Sequence, residues 1–380
     1  MSWIALRMLT GDYVKYLGMI FGVAFSTLLI AQQSSVFLGL VDRAATSVHD
    51  VRDADIWVMD PRIEAVDSAW ALPDSALERV RGIAGVKWAA PFLKASTTLV
   101  GPDLPLQTAT LFGLDDASLA GLPPKILAGS REALRAPGAV FIDEGGWRFL
   151  FPGQPFTPGR TLELNDNRAV IVGMVDAGVQ FSSQVSLYSR YAYALNFAPG
   201  GRNRMTFVIA KAENGLTAEA VARRIELATQ LKALSSQQFA RSSSRYIIGN
   251  TGIPISFGVV VALGVVVGIV VVALTFSLFI RDNLKQFGTL KAIGVSNAKL
   301  IGMVALQGIL VGVIGYAIGI GAATTLVFKG AEESLALRGF FVPASVAWIA
   351  AAIVAMIIGV AGAAAMRRVL TTDPADVFRA

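Results

Sequence analysis

Four long apolar stretches limit what this chain of 380 residues can fold into. A bilayer core about 30 Å thick is crossed by roughly 20 residues of α-helix, each of which rises about 1.5 Å. Stretches of at least that length, with almost no charge, occupy residues 17–41, 254–280, 300–328 and 342–366. The composition, 54% hydrophobic and 16% charged, is also more apolar than that of a soluble globular protein. The sequence therefore predicts an integral membrane protein with four transmembrane helices.

The first stretch has two possible roles, a membrane anchor or a cleaved signal peptide, because it is N-terminal and follows Arg7 and Lys15. It is longer than the apolar region of a typical signal peptide, which has about 7–15 residues. Its end, SVFLGLVDRAATS, also offers no clean A-x-A cleavage site. We therefore expect it to remain as an anchor.

Lysine and arginine in the short loops predict the orientation. Basic residues precede the first stretch, fill the loop at 281–299 and follow the fourth stretch, whereas the loop at 329–341 has no basic excess. We expect both termini and the 281–299 loop to be cytoplasmic and the protein to lie in a bacterial inner membrane. The predicted segments outside the spans are a cytoplasmic N-terminal segment at 1–16, a periplasmic domain at 42–253, a coupling loop at 281–299, a periplasmic loop at 329–341 and a cytoplasmic tail at 367–380.

The region at 42–253 alternates short β-type runs with helical ones. Strand candidates include DADIWVMD, KWAAPFLKASTTLV, GAVFIDE and TLELNDNRAVIVGMVDAG. The helix candidates are LPDSALERVRGIAGV, with Pro73 in its first turn, and LTAEAVARRIELATQLKAL, with Thr217 as N-cap. The expected fold is thus an integral membrane α-helical protein carrying a large α+β extracytoplasmic (periplasmic) domain, with two lobes.

Motifs for catalysis and cofactor binding are missing from the sequence. The phosphate-binding motif GxxxxGK[ST] is absent, so we expect no ATP site and no enzyme activity in this chain. A single histidine, His49, and no cysteine argue against a metal site. Asp143 and Glu144 are adjacent in a predicted strand and should point to opposite faces. The net charge of +6 follows the ends of the spans and does not indicate nucleic-acid binding.

Two sets of residues within the spans have alternative interpretations. Polar residues near the outer end of the first span either bond to neighbouring helices or line a cavity for an amphipathic substrate. They are Gln32, Gln33, Ser34 and Ser35. A stripe of small residues in the third span indicates close helix packing, within one chain or across a dimer. It consists of Gly308, Gly312, Gly315 and Gly319.

The basic segment at 281–300 has apolar residues at every third position, namely Leu284, Phe287 and Leu290. This spacing predicts a short amphipathic helix that lies at the membrane surface or against a partner. Gly294 is suited to end that helix, and Ser296 to cap the next one. The alternative is a loop whose lysines only contact anionic lipid.

The same segment, NLKQFGTLKAIGVSNAKLIGMVALQGILVGVIGYAIG, resembles the FtsX-type permease domain of ABC transporters in the MacB, LolC/LolE and DevC group. The family pattern E-x-G-x-[LM]-[RK]-A-[IL]-G stands here at Gln286, Gly288 and 290–294, with the Gln286–Phe287 pair in place of the acidic residue. The ending RRVLTTDPADVFRA is also similar to that of the family. The matching positions there are Arg367, Arg368, Asp373, Pro374, Ala375 and Phe378.

The resemblance implies a permease subunit whose coupling helix docks on a separate ATPase that binds ATP and Mg²⁺. The implied coupling residues are Leu284, Lys285, Phe287, Gly288, Leu290, Lys291, Ala292, Ile293 and Gly294. We expect aspartates at Leu284, Phe287 and Leu290 to uncouple the ATPase without unfolding the permease.

The resemblance further implies a dimer, a homodimer in the simplest case, and a periplasmic adaptor of the membrane fusion type. Members of the family are thought to act by mechanotransmission on lipids, lipoproteins or other amphipathic molecules. A DevC-like exporter fits the size and layout best, and a LolC/LolE-like extractor is next. The alternative is an FtsX-like regulator that controls a periplasmic cell-wall hydrolase.

Overall fold

The structure, a computed structural model, describes residues 2–68, 70–101, 106–200, 204–333 and 337–371. These residues form two compact units. The membrane unit contains residues 2–38, 252–333 and 340–371. The outer unit contains residues 39–251 and, from further along the chain, residues 337–339.

Helices and strands are numbered here in chain order. The α-helices are α1 Ser2–Gly11, α2 Tyr13–Arg43, α3 Thr46–Asp50, α4 Ser75–Arg81, α5 Glu144–Leu150, α6 Tyr191–Phe197, α7 Ala218–Thr229, α8 Ser236–Asn250, α9 Ile253–Asp282, α10 Leu284–Ala292, α11 Asn297–Glu333 and α12 Ala344–Thr371. A short 3₁₀ helix covers Arg131–Arg135. The strands are β1 Ile56–Met59, β2 Val86–Val100, β3 Gln107–Leu114, β4 Ile126–Ala128, β5 Ala139–Asp143, β6 Thr161–Leu164, β7 Asn167–Val175, β8 Ser186–Arg190, β9 Phe207–Ala212 and β10 Lys232–Ser235.

Four helices of the described chain, α2, α9, α11 and α12, are long and apolar enough to cross a bilayer. Each extends beyond its apolar stretch, since α2 begins at Tyr13 and α11 continues to Glu333. Such extensions are expected because a helix satisfies its backbone hydrogen bonds internally and need not end where the hydrocarbon ends. The predicted four-helix membrane part of the fold is confirmed.

The core of the membrane unit consists of apolar side chains from all four of these helices. Val23 of α2, Phe276 and Phe279 of α9, Met303 of α11 and Ile357 of α12 are each at most 2% exposed. Lipid tails are as apolar as these side chains, so close packing rather than exclusion of water favours this arrangement.

The outer unit is built on one sheet with the strand order β10-β1-β9-β2-β3-β8-β5-β7-β4, in which β6 pairs with β2 and β7. The first half of β2 pairs with β9 and the second half with β3, so this strand belongs to two lobes. Helices α4 and α7 cover the lobe with β1, β9 and β10, and α5 and α6 cover the lobe with β5 to β8. The expected α+β domain is confirmed.

The observed elements differ from the predicted ones at several ends. Helix α7 stops at Thr229, because Gln230 adopts the left-handed conformation with φ of 56° and the chain then enters β10. The prediction of one helix up to Leu234 is therefore wrong in its last turn, whereas Thr217 does cap the helix by accepting a hydrogen bond from the Ala220 N–H. Pro73 lies before α4 and outside its first turn.

Candidate functional site

The predicted short amphipathic helix is present as α10, and it follows α9 after one residue. That residue, Asn283, is buried, and its Nδ2 donates a hydrogen bond to the Phe279 carbonyl at 2.8 Å. The Asn283 carbonyl in turn accepts from the Phe287 N–H at 3.0 Å. The junction between α9 and α10 is therefore fixed by bonds on both sides of Asn283.

The C-terminal end of α10 is a Schellman motif. Gly294 has a φ of 89°, and its N–H donates to the Lys291 carbonyl at 3.1 Å. The next residue, Val295, donates to the Leu290 carbonyl at 3.0 Å, and both side chains pack on the same apolar cluster. Glycine suits this position because residues with a Cβ rarely adopt a positive φ. The Ser296 carbonyl then accepts the N–H groups of Lys299 and Leu300 as α11 begins.

The apolar face of α10 packs inward, on the membrane unit itself. Phe287 is 2% exposed and lies in one cluster with Phe279 and Met303, while Leu284 and Leu290 pack against that cluster. An aspartate at Phe287 would be buried among apolar side chains at high cost. Because Phe287 is buried, we now expect the triple aspartate variant to destabilise the membrane unit as well, so its loss of coupling alone would not identify a docking surface.

The opposite face of α10 and the turn after it are open to a partner. Lys285, Gln286, Thr289 and Ala292 are exposed, and Ile293 is 73% exposed. The residues that the family resemblance implied for coupling thus divide into an inward set and an outward set. Periodicity alone does not tell which face of the helix packs on the chain itself. Gly288 is buried within the helix and belongs to the inward set.

Helix α1, which the sequence reasoning did not single out, lies beside the beginning of α10. Its Ala5 carbonyl accepts a hydrogen bond from Gln307 Nε2 of α11 at 2.8 Å. Lys15 pairs with Asp12 and with Asp282 at the end of α9. A groove of about 400 Å³ is lined by α1, by the end of α9 and by α10, through residues that include Trp3, Arg7, Asp282 and Gln286. The sequence feature that could have indicated this groove is the spacing of Trp3 and Arg7, which lie one helical turn apart.

The C-terminal contact residues are only partly described. Arg367 and Arg368 lie on α12. Asp373, Pro374, Ala375 and Phe378 lie outside the described residues.

The glycine stripe of α11 faces two neighbouring helices of the same chain. Cβ atoms on Gly308 and Gly312 would collide with Ile358 of α12. On Gly315 and Gly319 they would lie 2.6 Å from Val23 Cβ and 2.5 Å from the Ala24 carbonyl oxygen, both on α2. The stripe therefore allows close packing of α11 within one chain.

The polar residues of the first span lie along α2. Ser35 is buried and its Oγ donates to the Ala31 carbonyl of its own helix at 2.7 Å, while Gln32, Gln33 and Ser34 are half-buried. A groove of about 890 Å³ lies elsewhere, between α11 and α12, and residues such as Gly308 and Ala355 line it.

Asp143 and Glu144 do not lie in one strand as expected. Asp143 ends β5 and accepts the Gly146 N–H at 3.0 Å, whereas Glu144 begins α5. Both carboxylates approach Arg338, so the expectation of opposite faces is wrong. Within the described residues, no group of three or more His, Cys, Asp or Glu side chains is arranged to hold a metal ion.

Comparison with solved structures gives matches to about half of this chain. The periplasmic region of MacB from Actinobacillus actinomycetemcomitans is 17% identical, with a TM-score of 0.38, and the match covers 54% of this chain and 96% of that one. The extracellular domain of the noncanonic ABC-type transporter YknZ from Gram-positive bacteria is 16% identical, with a TM-score of 0.35, over 48% and 98%. A comparison with curated protein sequences gives no match.

Two family models match successive parts of the chain. The MacB-like periplasmic core domain matches residues 16–228, which include most of α2 and most of the outer unit. The FtsX-like permease C-terminal domain matches residues 258–374, which include most of α9 and all of α10, α11 and α12. Together they cover the greater part of the four long helices and of the outer unit, and all of α10. The chain therefore belongs to the family of FtsX- and MacB-type permeases of ABC transporters.

Proposed function

We propose that this permease transmits the energy of ATP hydrolysis from a separate ATPase to its outer unit by movement of its membrane helices. Family membership implies an ABC ATPase partner. The observation that carries the proposal is the construction of α10, whose inward face packs in the membrane core while its outward face is exposed. A force on the outward face therefore acts directly on α9 and α11.

The docking surface in this proposal is the outward face of α10, with Lys285, Thr289, Ala292 and Ile293. Trp3 and Arg7 of α1 extend that surface beyond Gln286, because they line the same groove. Leu284, Phe287 and Leu290 fix α10 to the membrane core. Arg367, Arg368 and the tail at 372–380 add a contact on the same side of the membrane.

ATP and Mg²⁺ belong to the ATPase in this proposal, because the permease sequence lacks GxxxxGK[ST]. The permease itself performs no chemical step. Two ATPase subunits require two docking surfaces, which a homodimer of this chain supplies. Both termini and α10 face the cytoplasm of a bacterium, and the outer unit faces the periplasm.

The substrate class we propose is a lipid, lipoprotein or other amphipathic molecule, handled outside the membrane with a periplasmic adaptor of the membrane fusion type, as in DevC-like systems. Support comes from the spans, whose cores are apolar and offer no ionisable pathway for a hydrophilic substrate. The match to a MacB-like periplasmic core favours transport over control of a hydrolase.

Substitution of the outward face tests the docking assignment. We expect Ile293→Glu to lower the amount of ATPase that co-purifies with the permease from native membranes by about tenfold or more, because a buried isoleucine contributes about 1.5–3 kcal/mol to an interface. The matched control is Ile248→Glu on α8, where the isoleucine is 50% exposed in the outer unit. Wild-type yield and wild-type ATPase activity with Ile293→Glu would show that the partner docks elsewhere.

A further inference from the structure

The loop between the third and fourth spans enters the outer unit at Arg338. Residues 337–339 group with the outer unit, although α11 before them and α12 after them belong to the membrane unit. The Arg338 side chain is 20% exposed, and it is held among residues that lie far from it in the sequence.

Arg338 contacts three elements of the outer unit. Its Nη1 lies 3.6 Å from Asp143 Oδ2 at the end of β5, and its Nη2 lies 3.4 Å from Glu144 Oε2 at the start of α5. Its carbonyl oxygen accepts a hydrogen bond from Nη2 of Arg43, the last residue of α2, at 2.8 Å. Side chain and backbone of Arg338 are thus both bound.

The site that receives the guanidinium is specifically built. The Asp143 side chain is 2% exposed, and it also accepts the Ser186 N–H at 2.7 Å, which ties it to β8. Burial raises the pKa of Asp143 to about 6, while its hydrogen bonds and the charge of Arg338 favour the ionised form. Gly145 completes the site, because a Cβ there would collide with Arg338 Nη1.

The two ion contacts of Arg338, with Asp143 and Glu144, are long. Charge-assisted hydrogen bonds of this kind close to about 2.7–2.9 Å, and both contacts of Arg338 are longer. Arg338 Nη1 is buried and makes no hydrogen bond. Nη1 thus lies inside the site, close to Asp143 but beyond hydrogen-bond distance of it.

We propose that Arg338 is a transmission residue, through which movement of the third and fourth spans is passed to Asp143 and Glu144 and so to the lobe of β5 and α5. The inference rests on the proposed mechanotransmission. It adds a second route by which movement of the membrane helices can reach the outer unit. The first route is the direct connection of the outer unit, along the chain, to the first and second spans.

The test uses the permease co-purified with its ATPase and placed in lipid nanodiscs. The chain has no cysteine, so Leu227→Cys and Glu163→Cys, both at exposed positions in different lobes, can carry spin labels. Electron paramagnetic resonance then measures the distance between the lobes with and without ATP and vanadate. We expect an ATP-dependent change in the otherwise wild-type protein and its loss in Arg338→Gln.

The matched control is Arg148→Gln. Arg148 also pairs with Glu144, at 2.7 Å, but it is 65% exposed and lies on α5. It should keep the ATP-dependent change. Gly145→Ala provides a second variant that displaces the guanidinium without removing it, and Gly249→Ala on α8, where a Cβ meets nothing within 4 Å, is its control.

The outcomes separate the two proposals. No ATP-dependent change in the otherwise wild-type complex would overturn mechanotransmission, and the role of Arg338 with it. A normal change in that complex that persists in both Arg338→Gln and Gly145→Ala would overturn the role of Arg338 alone. Loss in these two variants, with the change retained in both controls and unaltered melting temperatures, would support it.

Discussion

At the scale of single residues, Asp50 shows how burial of a carboxylate in the outer unit affects stability. Asp50 accepts hydrogen bonds from the Gly178 N–H and from Gln180 Nε2, both at 3.2 Å. Burial raises its pKa to about 7, well above the ordinary value for an aspartate. Ionisation of Asp50 is therefore less favourable in the folded chain than in the unfolded one.

This shift predicts a pH dependence of stability. Because the folded pKa is raised, the contribution of Asp50 to stability is fully present below about pH 4 and is lost as the pH rises through about 7. We expect Asp50→Asn to reduce the fall in melting temperature of the detergent-solubilised permease between about pH 5 and pH 8. Asp166→Asn, at an exposed hairpin position, should behave like wild type. An equal fall in all three proteins would contradict the assignment to Asp50.

At the scale of elements, α10 shows what a sequence pattern can and cannot predict. Spacing identified Leu284, Phe287 and Leu290 as one face, and Gly294 marked the end of the helix. The pattern does not tell whether an apolar face packs on its own chain or on a partner, because both environments exclude water equally. The exposed residues that remain, such as Ile293, became candidates only once the inward face was known.

Other elements were missed for a different reason. Gln230 ends α7 in a left-handed conformation that glycine or asparagine would have signalled, and glutamine does not. The contacts of Arg338 with Asp143 and Glu144 join distant parts of the chain, so no local pattern contains them. Local spacing predicts elements well, while such long-range pairs require the folded structure.

The Schellman motif at the end of α10 gives a test at this scale. We expect Gly294→Ala to loosen the last turn of α10, because a left-handed residue with a Cβ costs about 1–2 kcal/mol. A Cβ at Gly294 meets nothing within 4 Å, so the effect is conformational and not steric. Hydrogen exchange should show faster exchange of the Val295 amide by about tenfold. Gly302→Ala on α11, without a positive φ, is the control and should leave it unchanged.

At the scale of the whole molecule, α10 belongs to the membrane unit and residues 39–251 form the outer unit. The distribution of lysine and arginine predicts that the exposed face of α10 and the outer unit lie on opposite sides of the membrane. In intact spheroplasts, a membrane-impermeant maleimide should label Leu227→Cys at once. It should label Ile293→Cys only after the membrane is permeabilised. Labelling of Ile293→Cys in intact spheroplasts would reverse the proposed orientation.

The long strand β2 limits how the two lobes of the outer unit can move relative to each other. Its 15 residues extend over about 50 Å. Pairing changes from β9 to β3 between Phe92 and Leu93, without a break in the strand. The two lobes therefore share one continuous backbone, and they cannot separate as two halves of a hinge without breaking sheet hydrogen bonds. A twist of β2 is a relative motion of the lobes that keeps this pairing, so we expect a torsion applied to one lobe to reach the other along a single backbone.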